Sequence, residues 1–541
     1  MITDMKKILI VAALVFSFAA GASAQEGKTA YPAMMEISRA KASWFKTSNA
    51  AGMVVTPLYQ YADLSVGYKS ATGEFRRMQE GDVSALNVNT SGTGKVGGFT
   101  FWGEFDYNNV TSKETKFRTM NIDLEDDMPY YVADRNMSEW KHQAYELKAK
   151  VATPLLWDRL SFGVYGNYYA KSGAKQIDPR CTDYLYGIVV EPSALLKLGK
   201  HNLGLTFKYK VGHDRTTPVN SNNQQDQNIF IMRGLGNYTE GVIGGIGGLS
   251  TFYYNLTKIG GAFQYGFATE NFNAVAEAYY REQAIDVRQT PSKPQAMGST
   301  FQKIAGGSFN TALNCGKNTH SLSVNGLYRK TNGIEYVQVL NTDYEVQMWE
   351  TISESVRSTY ELTEVDYEYN FFRNSDYGYN WMAGLSGSYS SREDKYLTPE
   401  ARLKITNFFN KLFVKKNIML NEASLVVGIE GGYNHNIDKE YNYSGPDAEA
   451  YTVQEFYLKD CSMMGAHYWM IGANVNVTFP VMKNALLYIK GSINYCRSND
   501  KMNNHEYTKD SKGNYFWYIE ADANAHRSQR CTALVSVGIS F

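Results

Sequence analysis

Beyond about residue 57 the chain alternates apolar and polar residues in short runs separated by turn-like breaks. In 467–479, Trp469, Ile471, Ala473, Val475, Val477 and Phe479 share one parity, opposite Gly472, Asn474, Asn476 and Thr478. A period of two marks an extended strand with one apolar and one polar face. The same pattern sets Leu203, Leu205, Phe207 and Tyr209 against Thr206, Lys208 and Lys210 in 201–212. It sets Val365, Tyr367, Tyr369 and Phe371 against Glu364, Asp366, Glu368 and Asn370 in 357–371. In 485–496 it sets Leu487, Ile489, Ile493 and Tyr495 against Lys490, Ser492 and Asn494. Similar segments fall near 95–108, 139–153, 159–170, 255–267, 272–284, 319–330, 379–390 and 421–434. Weaker ones fall near 57–69, 82–90, 183–198, 301–313 and 396–407. The last segment, Cys531 to Phe541, alternates throughout except at Leu534.

The pattern predicts about 18 strands, with 14 or 16 also compatible, an even count as single-chain bacterial barrels have. Short joins (Ser91–Gly94, Pro154–Asp158, Ala268–Asn271, Pro480–Asn484) alternate with long polar ones (109–138, 213–254, 331–356, 435–466, 497–525). Tight turns at one rim and long loops at the other are the asymmetry of a transmembrane barrel, whereas a β-sandwich has no reason to segregate loop length. The expected fold is therefore all-β, a transmembrane antiparallel up-and-down β-barrel over residues 57–541. Its turns and Phe541 are expected on the periplasmic side and its long loops outside.

Val537, Ile539 and Phe541 lie in phase at the end of the last strand. A terminal strand ending in Phe resembles the recognition signal of bacterial outer-membrane β-barrels. The resemblance implies insertion by the barrel-assembly machinery and outer-membrane lipid as the surrounding partner. As a whole the chain resembles the uncharacterised outer-membrane β-barrel proteins of Bacteroidetes-type bacteria. That resemblance implies the fold and a place in the cell outer membrane, and supplies no substrate.

Residues 1–24 read as a signal peptide: Lys6 and Lys7 precede an apolar run from Ile8 to Phe18, and Ala22-Ser23-Ala24 forms an A-x-A cleavage site. Beyond it no stretch of about 18 apolar residues could form a helical span. Residues 25–56 do not alternate and are expected to form a periplasmic or lumenal segment, with a short helix from Ala33 to Phe45. Ser48-Asn49-Ala50-Ala51-Gly52 follows as a turn. Asn49-Ala50-Ala51 resembles the Asn-Pro-Ala segment of hydrocarbon-transporting barrels of the long-chain fatty-acid type, with Ala50 in place of Pro. That resemblance implies a hydrophobic-compound transporter as one alternative.

Lys+Arg and Asp+Glu are both 54, so the neutral chain offers no electrostatic case for nucleic acid. Tyr, at 41 against 26 Phe, suits rings placed at a membrane interface with their hydroxyls wet. Parity assigns the strand charges to the lumen, since Lys or Arg facing lipid at mid-depth costs roughly 2–4 kcal/mol. The candidates are Glu364, Asp366, Glu368, Lys208, Lys210, Arg402, Lys404, Glu430 and Lys490, with Glu104, Asp106, Glu146, Glu277, Lys148, Lys150 and Arg329 beside them. They either orient a solute or form an ion-pair lattice filling the interior. The three carboxylates on one face, Glu364, Asp366 and Glu368, would make an open pore prefer cations locally.

The eight His show no metal-ligand spacing, no G-x-S-x-G occurs, and Gly241 to Gly248 lacks the Lys-Ser/Thr of a phosphate loop and reads as an external loop. No catalytic, cofactor or metal site is therefore expected. Of the five Cys, Cys496 and Cys531 fall at opposite parity and should not bridge, Cys181 and Cys461 could pair, and Cys315 sits at a turn. The leading functional expectation is passive or gated passage of a small solute. The alternative is a structural or surface-interaction barrel acting through its loops.

Overall fold

A computed structural model describes residues 31–56, 59–120, 127–222, 226–243, 251–290, 294–343, 347–482, 484–500, 505–509, 515–519 and 528–541. The expected signal peptide lies outside the described residues, as does most of Gly241 to Gly248. Eighteen antiparallel strands, from Tyr61–Glu74 to Gln529–Ser540, each pair with their neighbours in the chain. The first closes on the last, with Leu64 opposite Ile539 and Val66 opposite Val537. Phe541 joins this seam: its N–H donates to the Ala62 carbonyl at 2.8 Å, and the Ala62 N–H donates back at 3.2 Å. Among the described residues closure leaves the wall without an edge strand, the condition for strands to cross lipid.

The lipid-type parity faces outward. Leu205, Phe207, Leu412, Ile429, Val535 and Val537 are exposed on the outer wall. An apolar belt of this size is stable only where lipid covers it. The molecule is an outer-membrane β-barrel.

Many strands are far longer than the roughly 9–11 residues a tilted strand needs to cross the bilayer; Met348–Ser375 has 28. The excess rises at the loop rim. Most of 331–356, expected as a loop, is instead a tall hairpin in which Leu340 faces Trp349. The turn expected at Ser91–Gly94 lies within the strand Asp82–Val96, and the chain reverses at Gly97 and Gly98, both at positive φ. The helix expected over Ala33 to Phe45 runs Pro32–Lys41, and 3₁₀ turns follow at Ser43–Lys46 and Ala50–Val55.

The lumen holds two bodies that do not belong to the wall. At the loop end, residues 117–120 and 127–133, the inner strands Gln227–Gly234 and Asn237–Ile243, and the helical segment Thr452–Met464 fold inward as a lid. Val132, Ile229 and Ile243 of the lid pack on Leu185, Tyr254, Leu256, Ile285 and Val287 of the wall. Leu235, Tyr457 and Cys461 pack on Tyr360, Leu403 and Ile405. At the turn end, residues 31–56 enter the barrel as a plug.

The lid corrects two expected lumen residues. Alternation at Ala401, Leu403 and Ile405 suggested that their neighbours Arg402 and Lys404 face inward. Because an apolar lid fills this part of the lumen, Leu403 and Ile405 turn in, and Arg402 and Lys404 turn out. There Arg402 pairs with Glu393 and Glu440, and Lys404 with Asp438. The strand itself runs Ala401–Leu420, shifted from the expected 396–407. Cys181 and Cys461, expected as a possible pair, are both buried free thiols, since each is packed in a different part of the interior.

Candidate functional site

The plug is held by a notch cut into the wall. Trp44, Ala51, Leu195 and Val275 form its apolar contact. Gly163 has no side chain where the plug passes: a Cβ there would lie 2.3 Å from the Ala51 nitrogen. Asn49 is fully buried and bonded on all sides. Its Oδ1 accepts from Gly52 N–H at 3.1 Å, and its Nδ2 donates to the Ala194 carbonyl at 2.9 Å and to Gln264 Oε1 at 3.0 Å. The Gln264 Nε2 donates in turn to Glu277 at 2.8 Å, and Glu277 Oε2 also accepts from the Ser48 N–H and hydroxyl at 3.0 and 2.7 Å. Glu277, expected as a lumen charge, is therefore the wall's anchor for the plug. The plug's Glu36 pairs with Lys415 at 3.1 Å and accepts from Tyr379 at 2.8 Å. Burial pushes the Lys46 ammonium below its ordinary pKa, a shift that Glu368 opposes.

Between wall and lid lies a cavity of about 680 Å³. Glu364, Arg329, Arg392 and Asp394 face it from the wall, and Asp127, Arg118 and Asp460 from the lid. Five methionines, Met78, Met120, Met128, Met232 and Met464, supply much of its apolar surface. A smaller cavity of about 340 Å³ is lined by Asp366, Glu368, Ser323, Asn325 and Lys411. The acidic face expected on Met348–Ser375 is thus divided between two chambers.

The other candidate charges are mostly paired. Lys208 meets Glu191 at 2.6 Å, and Glu430 meets Lys411 at 3.0 Å. Lys148 lies 3.0 Å from both Glu104 and Glu146. Lys210 sits over the Tyr169 ring at 5.5 Å, and Lys490 over the Tyr488 ring at 4.1 Å. Lys150 donates to the Phe45 carbonyl of the plug at 3.3 Å.

Sequence reasoning missed the ion pairs that tie the lid down. Asp127 lies 2.8 Å from Arg329 and 3.1 Å from Arg392. Arg76 forks onto Asp460, and Arg77 meets Glu455 at 3.2 Å. Burial raises the Asp460 carboxyl pKa, but the Arg76 guanidinium outweighs it and leaves the carboxyl below its ordinary range. Burial pushes Lys459, beside Glu455, down to about 8. The available signal was the acidic run ending at Asp127, in a segment with no strand pattern of its own.

Fold and interior together define a class: an outer-membrane β-barrel whose lumen is occupied from both ends by its own chain. Residues 50–541 match the family of unknown function DUF6850, and the chain belongs to that family. No curated protein matches it. Among solved structures it is similar to a mutant ferric enterobactin receptor of Pseudomonas aeruginosa in complex with enterobactin (9% identity, 89% of this chain and 81% of that one, TM-score 0.37). It is also similar to a Pseudomonas aeruginosa FadL homologue (11% identity, 95% and 98% covered, TM-score 0.34). A third is the outer membrane transporter YddB of Escherichia coli (7% identity, 90% and 81% covered, TM-score 0.37). Likeness at this level says nothing of a solute.

Proposed function

We propose that the protein is a gated outer-membrane barrel through which a small solute passes. One observation carries this reading: a polar, charged cavity of about 680 Å³ lies inside a wall that is closed by separable pieces of chain. The plug is held by hydrogen bonds and a small apolar contact, and the lid by ion pairs and two larger apolar clusters, rather than by shared strands of the wall. Such contacts can be exchanged in a two-state motion without unfolding the barrel. A barrel serving only as an anchor has no need of a charged chamber in its interior. Opposed charges in that chamber also fit a polar or ionic solute better than a bare hydrocarbon. The Bacteroidetes-type source implied by the sequence resemblance belongs to this same reading.

The experiment is conductance in planar bilayers, comparing the native chain with Gly163→Val. The variant side chain collides with the Ala51 backbone and should dislodge the plug while the barrel stays closed at its seam. Native protein is expected to be silent or to open rarely, and the variant to conduct for long periods. A folded variant that never passes ions would overturn the reading in favour of a sealed structural barrel.

A further inference from the structure

We infer that Arg329 and Arg392 form a binding site for the acidic head of a small organic anion, and that Asp127 of the lid occupies this site in the closed state. The inference deepens the gated-passage reading and rests on it. Arg329, on the strand Asn318–Asn341, and Arg392, on Gly378–Tyr396, converge on one point of the lumen from either side of the strand Met348–Ser375. Asp127 sits between them, almost fully buried, with Oδ2 2.8 Å from Arg329 Nε and Oδ1 3.1 Å from Arg392 Nη2. The Thr331 hydroxyl also donates to Oδ2 at 3.1 Å.

The fit is poor for a carboxylate so deeply buried. Oδ1 of Asp127 and both Nε and Nη2 of Arg329 lack a hydrogen bond of acceptable geometry, although the charges are in ion-pair range. The Arg329 side chain is only 9% exposed. A guanidinium fork that is buried and under-used favours an oxyanion free to take the bidentate pose, which Asp127 does not take on Arg329.

The neighbouring charges decide the sign. Four arginines and four acids line the cavity. Arg76 is held by Asp460, Arg118 by Glu80, and Arg392 keeps Asp394 at 2.7 Å. Among the described residues, Asp127 is the carboxylate within ion-pair range of Arg329. When the segment that carries Asp127 lifts while the lid helix keeps Asp460 on Arg76, four arginines face three acids, Glu364, Asp394 and Asp460, and the unmatched charge centres on Arg329. The five methionines provide an adaptable apolar surface for the body of the ligand.

The test uses full-length protein in detergent and calorimetric titration with benzoate, phenyl phosphate and benzyl alcohol, three probes sharing one apolar body. Asp127→Asn is expected to bind at least one of the two anions tenfold or more tighter than the native chain, and Asp127→Glu to bind it no tighter than the native chain. Adding Arg329→Gln to Asp127→Asn should abolish the gain, and benzyl alcohol should not discriminate among the variants. Whichever anion responds distinguishes a carboxylate from a phosphate head. Unchanged anion binding in Asp127→Asn, or an equal gain for the alcohol, would overturn the site. Should Asp127→Asn fail to fold, hydrogen exchange of segment 127–134 in the native protein replaces it. Saturating anion should speed that exchange and the alcohol should not; equal effects overturn the site. Liposome efflux separates the two readings: binding that behaves as expected without flux in any variant defeats passage and leaves the site standing.

Discussion

At the scale of single residues, the interior works by specific pairing. Asn49 and Glu277 bond the plug to the wall, and Gly163 makes room for it. Parity placed Glu277 in the lumen, but only contact with Ser48 and Gln264 made it an anchor. Glu364, Asp366 and Glu368 do share the inner face of one strand, and Lys411 lines the lower chamber with two of them. Their expected effect is testable once the plug is displaced. In a conducting Gly163→Val background, Glu364→Gln, Asp366→Asn and Glu368→Gln together should move the reversal potential in a salt gradient toward anions. A potential that does not move would reduce the three carboxylates to partners in the ion-pair lattice.

At the scale of elements, the lid is the mobile part with the clearest chemical handle. Asp460 sits on the lid helix and clamps Arg76, whose side chain is half exposed, so the pair is worth on the order of 1 kcal/mol. The Asp460 pKa is lower folded than unfolded. Its contribution is therefore complete above the unfolded aspartate value of about 4 and is lost as pH falls through the lower folded value. Protease cleavage within 451–464 should accelerate below about pH 4 in the native chain. Asp460→Asn should show a faster rate already at neutral pH and little further change from this group on acidification. Identical pH profiles for the two proteins would remove Asp460 from the control of the lid.

The same scale shows what alternation can and cannot say. On the strand His201–Val219, Leu205 and Phe207 face lipid while Lys208 and Lys210 face in, as the pattern implied. On Ala401–Leu420 the same rule put Arg402 and Lys404 inside, and they lie outside. A strand has one parity throughout, yet its surroundings exchange along its length. In the bilayer the apolar medium is outside; above it, water is outside and the apolar lid is within. Hydrophobicity tells which face meets an apolar partner and is silent on whether that partner is lipid or protein.

For the whole molecule, closure at the seam decides everything else. Phe541 extends the pairing of the last strand with the first through two backbone bonds to Ala62. Deleting Phe541 removes both bonds and the aromatic at the rim, and is expected to lower the folded fraction recovered in the outer membrane severalfold. Heat-modifiable gel mobility measures that fraction, and an unchanged value would show that the seam assembles without its last residue.

The alternation of apolar and polar residues carried the strand class, an even count of about 18 and the inner placement of charges such as Glu364, Lys208 and Glu430, and with the N-terminal export signal and the terminal Phe541 it pointed to a closed barrel in the outer membrane. These follow from local pattern, because a barrel wall is a repeating two-sided surface and each strand carries its own instructions. Tertiary structure alone decided what fills the barrel. Residues 31–56, the inner strands and the lid helix have no period that points to a partner, and Asp127 meets Arg329 across 202 positions of chain. Which groups meet there depends on how loops fold back into a space that exists only after the wall has closed.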